Sequence, residues 1–235
     1  MGMHDSFNLA WKLAAVIKEN ADPQLLDTYE EERRPIAQRL LDFDRQFYEY
    51  FDEPLSKMSV EDYRVKFTEA TSKEHCDISG VSVCYADIHA SHESRHVQSS
   101  LAPGIPMGKR FPGGTVIRQA DGRALDLLEV LPSTGHWRVL VFPVDLRESA
   151  LLSRYVELGQ SLQAMKTRNA RLCEILSIHG SARHDIDLMD LPEIFHPWHE
   201  EFGWDYGKVF ADDTSYHDST AGVLYRDLQV SSEGL

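Results

Sequence analysis

The residues best placed to do chemistry open the chain, in Gly2-Met3-His4-Asp5-Ser6-Phe7-Asn8. Asp5 or Ser6 can cap a helix, because a short side-chain oxygen there accepts an orphan backbone N–H. A glycine and a turn just ahead of that cap leave N–H groups aimed outward, at the positive end of the helix dipole. Such an end suits an anion or an electron-rich ring edge. Imidazoles offer a second chemistry: His89, His92 and His96 share one polar stretch, and His196, His199 and His217 accompany Asp212 and Asp213. Neither set has the spacing of a recognised metal site, so no metal ligand is assigned. The first reads as a His- and Ser-rich linker and the second as surface polar residues. Cys76, Cys84 and Cys173 include no CxxC, which argues against thiol redox chemistry and suits free thiols in a reducing compartment. No Gly-x-Ser-x-Gly elbow supports a hydrolase. No catalytic acid, base or nucleophile is assigned.

Positioning such residues requires a folded frame, and the composition provides for one. The 235 residues are 42% apolar and hold one large domain or two small ones. A formal net charge of −14 argues against nucleic acid or an anionic membrane surface as partner. No apolar run reaches the length of a membrane span, and no basic-then-apolar leader is visible, so a cytoplasmic protein is expected.

The first third of the chain reads as helical. A helix over 6–19 carries Leu9, Leu13 and Ile17 as its apolar stripe. Asp22 and Pro23 open a second helix as N-cap and first residue. Glu30-Glu31-Glu32-Arg33-Arg34 reads as a solvated face with Glu–Arg pairs. Pro35 is expected to kink or restart the helix. Ile36, Leu40, Phe43 and Phe47 then form an apolar stripe, flanked by Leu41, Tyr48 and Phe51 and stopped by Asp52-Glu53-Pro54. Ser59-Val60-Glu61-Asp62 resembles a capping box and opens a third helix to about residue 71. Residues 80–85 alternate as a short strand would, and 72–100 is expected to be a linker.

Beyond it, 115–118 predicts a strand, Asp121-Gly122 a turn and 124–131 a short helix. The nearly continuous apolar run 137–143 predicts a buried central strand. A long helix is expected over 150–176, with Cys173 inside it. Further strands are expected at 185–189 and 208–213, with a Pro-broken turn at 196–199 between them. This order makes an α/β unit with a mixed sheet.

Two blocks carry a family resemblance. Gly2-Met-x-Asp-x-x-Asn-Leu-Ala-Trp-Lys-Leu13, followed by Leu26-Asp27-Thr28-Tyr29-Glu30-Glu31-Glu32-Arg33-Arg34-Pro35, resembles the last part of the flavin domain in FAD-dependent aromatic-ring monooxygenases. Phenol hydroxylases are the relatives it looks most like. Pro103–Arg110, Arg118–Arg123, Leu131–Phe142 and Val209–His217 are similar to their thioredoxin-like C-terminal domain.

The resemblance implies a helical remnant of the flavin domain over 1–71, a linker over 72–100 and a thioredoxin-like dimerisation domain over 101–235. It implies FAD as cofactor, with Gly2 and Met3 against the pyrimidine side of the ring through their backbone and His4 close by. The implied activity is NAD(P)H-dependent hydroxylation of a phenolic ring by a homodimer, of which this chain is the C-terminal portion. The alternative is a non-catalytic interaction module. The chain departs from the family in having no GxGxxG and no acidic ribose partner. Its residues 218–235 also depart, predicting a missing or altered sheet edge.

Overall fold

The computed structural model describes residues 2–19, 21–52, 59–65, 67–68, 83–85, 99–135, 137–168 and 173–231. The chain forms two compact units: residues 1–97 with 107–110, and 98–106 with 111–235.

The first unit is built on two helices, α1 (Gly2–Glu19) and α2 (Asp27–Asp52). Helix α1 begins at Gly2, earlier than expected, so Asp5 and Ser6 lie inside its first turns and neither is the cap. A 3-10 turn, Pro23–Leu26, leads into α2, and the Asp22 carboxylate accepts from Gln24 N at 2.9 Å, as an N-cap should. Pro35 lies within α2 without ending it.

The face that α1 buries is not the expected one. Leu13 and Ile17 are exposed, whereas Asn8, Lys12 and Ala15 are buried. Ile36 is buried on α2, while Leu41 and Tyr48 are exposed. Ser59 Oγ accepts from Asp62 N at 3.0 Å ahead of the helical residues 60–65, the capping geometry expected there. Residues 83–85 run extended, and Cys84 bridges Lys109 antiparallel. The expected linker histidines, His89, His92 and His96, lie outside the described residues.

The second unit is α/β, with a mixed five-stranded sheet in the order β2-β1-β7-β4-β3. Strand β1 is Thr115–Arg118, β2 Ala124–Asp126, β3 Trp137–Val141, β4 Cys173–His179 and β7 Val209–Ala211. A separate small hairpin pairs β5 (Trp198–His199) with β6 (Gly203–Trp204). Strands β3, β4 and β7 run parallel, and β1 runs antiparallel to both β2 and β7. Helix α3 (Ser149–Arg168) connects β3 to β4, and α4 (Leu224–Asp227) follows β7.

Alternation along the strands feeds two cores. Val139, Val141, Ile175 and Val209 join Tyr155 and Leu162 of α3 on one side. Leu140, Leu176, Ile178 and Phe210 join Leu224 and Leu228 on the other.

Four expectations are corrected. Ala124–Asp126 is a strand, because the Asp121-Gly122 turn, with Gly122 at φ 73°, folds it back on β1. Strand β3 lies at the sheet edge: its apolar run reflects cores on both faces, and Trp137 at its start is 58% exposed. Helix α3 ends at Arg168, and Cys173 opens β4. The expected strand 185–189 is instead the 3-10 turns Arg183–Asp185 and Leu188–Asp190.

The atypical end of the chain supplies α4. The Asp212 carboxylate accepts from Leu224 N and Tyr225 N, at 3.0 and 2.8 Å. Leu224 and Leu228 then close the second core. A Cβ on Gly104 would stand 2.5 Å from the Leu228 carbonyl carbon, so glycine there lets the two backbones meet. This end covers a sheet face.

Candidate functional site

The 3.6-residue period of α1 brings His4, Phe7, Asn8 and Trp11 to one face, and that face forms a wall of a cleft of about 410 Å³. Glu32 and Arg33 of α2 form its floor. Val83, Tyr85 and Gly108–Arg110 complete it, and Tyr85 N donates to Gly108 O at 2.8 Å to hold the last two segments together.

Two ion pairs lock α1 to α2 around the cleft. Lys12, with no exposed surface, donates from Nζ to Glu32 Oε2 at 2.9 Å, and Asn8 Nδ2 donates to the same oxygen at 2.6 Å. Arg33 Nε donates to Asp5 Oδ1 at 2.6 Å, and its Nη1 to Tyr85 Oη at 2.8 Å. Burial opposes the charge on Arg33, but the bonds to Asp5 and Tyr85 outweigh it and raise its pKa. Asn8 Oδ1 is buried and has no hydrogen-bond partner among the described residues. Glu30 and Arg34 form the exposed pair that the charge run suggested, 3.0 Å apart. Their neighbours Glu32 and Arg33 are buried instead. The charge run was expected to be a solvated face, yet Glu32 and Arg33 of it are buried; the available signal was Asp5, Asn8 and Lys12 at helical spacing opposite a Glu–Arg run.

Of the three residues assigned from sequence, His4 lines this cleft and is exposed. Gly2 and Met3 occupy the first turn of α1, with Met3 86% exposed. Of the second unit's His and Asp set, His196 is buried, with Nε2 2.7 Å from Leu191 O, and Asp213 accepts from Arg183 N at 2.8 Å. Among the described residues, no group of three or more His, Cys, Asp or Glu side chains is arranged to hold a metal ion.

Residues 70–234 match the family described as phenol hydroxylase, C-terminal dimerisation domain, and residues 1–44 match the FAD binding domain. The chain belongs to the phenol hydroxylase family of FAD-dependent monooxygenases. It is 35% identical over 233 residues to a phenol 2-monooxygenase of Aspergillus fumigatus, covering 98% of this chain and 38% of that protein. It is 31% identical over 231 residues to the 3-hydroxybenzoate 4-monooxygenase of Comamonas testosteroni, covering 90% of this chain and 35% of that protein. A shorter match, 57% identical over 42 residues, is to the pentachlorophenol 4-monooxygenase of Sphingobium chlorophenolicum, covering 18% of this chain and 8% of that protein. The chain thus spans well under half the length of these relatives.

The space beside Gly2 is open, with nothing within 4 Å of a Cβ built there. The first-turn N–H groups of an 18-residue helix carry the positive end of its dipole. The sequence contains no GxGxxG to cradle a pyrophosphate.

Proposed function

We infer that this chain forms the C-terminal, dimerising part of an FAD- and NAD(P)H-dependent monooxygenase that hydroxylates phenolic rings. The observation that carries this reading is the FAD binding domain match over residues 1–44, which falls on α1 and the start of α2. Gly2 and Met3 would hold the pyrimidine edge of the flavin through their backbone, with His4 beside it. The dipole of α1 favours negative charge at that edge. FAD, when bound, carries reducing equivalents from NAD(P)H and supplies the oxygen chemistry. The chain's own contribution is positioning: the Lys12–Glu32 and Arg33–Asp5 pairs hold the first turns of α1 in place. The second unit would join two copies, as the name of the matching family indicates. A cytoplasmic location suits three cysteines without a CxxC.

The dimerising module alone is the second reading, favoured by the match of residues 70–234 to the C-terminal dimerisation domain. An FAD titration of the 235-residue chain, followed by flavin fluorescence, separates the two. Saturable binding that weakens in His4→Ala supports the flavin reading. No binding at high micromolar FAD overturns it for this chain and leaves the module. Sedimentation velocity over a concentration series tests the dimer, which a clean monomer throughout would exclude.

A further inference from the structure

We propose that the outer edge of β3 pairs with the β3 edge of a second copy of this chain, antiparallel about a twofold axis, so that the two sheets join into one. The inference rests on the reading of the second unit as the dimerising part, and it names the surface that joins the copies.

The two edges of the sheet are unlike. Strand β2 closes one of them with three residues, Ala124–Asp126, and ends in an exposed carboxylate. A short edge that carries a charge resists further pairing. Strand β3 closes the other with five residues, Trp137–Val141, and holds no acidic side chain. Among the described residues no strand pairs with its outer side. Alternate residues of β3 therefore turn N–H and C=O groups away from β4, a template for another strand. Its two faces are already covered: Val139 and Val141 pack in the core beneath α3, and Leu140 in the core closed by Leu224 and Leu228. The edge is what remains to be paired.

Charge and side-chain fit point to a second copy as the occupant. With the axis at Val139, Trp137 stands opposite Val141 of the partner subunit, and Arg138 opposite Leu140 of the partner subunit. No like charges face each other. The Arg138 guanidinium is already engaged, donating from Nε to Glu174 Oε2 at 2.6 Å and from Nη2 to Pro132 O. Trp137 is 58% exposed, and an aromatic ring against a β-branched side chain is a favourable cross-strand pair. The twofold makes that pair twice. In a chain of net charge −14, an edge strand without carboxylates lets two copies meet with little repulsion.

The β5–β6 hairpin is the rival surface, with Trp198 and Phe202 53% and 80% exposed. Its turn also exposes Glu200 and Glu201. An isologous contact there would gather these carboxylates from both copies, and like charges brought together oppose association.

The test is sedimentation velocity of the 235-residue chain over a concentration series, unaltered and with Trp137→Lys or Phe202→Lys. Trp137→Lys, which puts a charge on the edge and removes both ring contacts, should raise the dimer dissociation constant about tenfold or more. Phe202→Lys, away from the edge, should leave it within about twofold. Hydrogen exchange on the unaltered chain gives a second readout that needs no variant to fold. The outward-facing amides of residues 137–141 should slow severalfold as the concentration passes the dissociation constant, and those of β2 should not. A dimer indifferent to Trp137→Lys, a dimer loosened by Phe202→Lys instead, or β3 exchange independent of concentration would each overturn this surface while the dimer itself stands. A monomer at every concentration would overturn both.

Discussion

At the scale of single residues, the first unit turns on Lys12 and Glu32. Both are buried, and each neutralises the other. Removing one leaves a charge stranded in a low-dielectric site, so Lys12→Met should destabilise the first unit by about 3–5 kcal/mol in urea unfolding. The double variant Lys12→Met/Glu32→Leu should recover part of that loss, because no charge is then desolvated, while Asn8 Nδ2 loses its acceptor. In the second unit His179 is fully buried, with Nε2 3.0 Å from Gln119 Oε1. Burial pushes its pKa down to about 4. The unfolded chain therefore binds a proton that the folded chain refuses, and stability falls with pH through the window from about 6.5 to about 4. The loss should approach roughly 3 kcal/mol by pH 4, read from urea midpoints across that range. His179→Gln should flatten this slope. None of these roles was legible locally: a Lys or Glu is bland in a sequence until its partner, 20 residues away, is known to face it.

At the scale of elements, the β1–β2 hairpin shows why local patterns misled. Residues 124–131 have helical composition, but Gly122 takes φ 73° and turns the chain back, so that Val116 pairs with Leu125. A side chain at that φ is strained, and a Cβ there would also stand 3.3 Å from the Arg183 guanidinium. Gly122→Ala should cost about 1–2 kcal/mol in thermal or urea unfolding. Strand β4 was hidden for a different reason. Apolar residues continue past α3 at three- and four-residue spacing, which extends a helical pattern through Leu176. The β-branched Ile175 and Ile178 mark the strand, and the Tyr155 hydroxyl donates to Ser177 Oγ at 2.9 Å across the helix–sheet contact. Glu174 then ties the sheet laterally, accepting from Arg138 of β3 at 2.6 Å and from Lys208 ahead of β7. Burial opposes its charge, yet those two cations keep its pKa below the ordinary value.

At the scale of the whole molecule, the net charge of −14 bears on the proposed self-association. Two copies of like net charge repel one another at long range, and salt screens that repulsion. The dimer dissociation constant should therefore fall roughly severalfold between about 20 and 300 mM salt in sedimentation experiments, whereas a dimer held by ion pairs would loosen. The sequence by itself determined what acts over a few residues. It set the Asp22 and Ser59 caps, the turn at Asp121-Gly122, the strands at 115–118 and 137–141, the α/β class and the blocks that mark the family. Tertiary structure decided which side of α1 faces inward, which Glu and which Arg of the charge run are buried, and that β3 takes the edge of the sheet. The physical reason is the range of the interactions. Caps and turns are satisfied by near neighbours, whereas burying a charge is tolerable only where a partner from a distant segment meets it, and only the fold brings that partner.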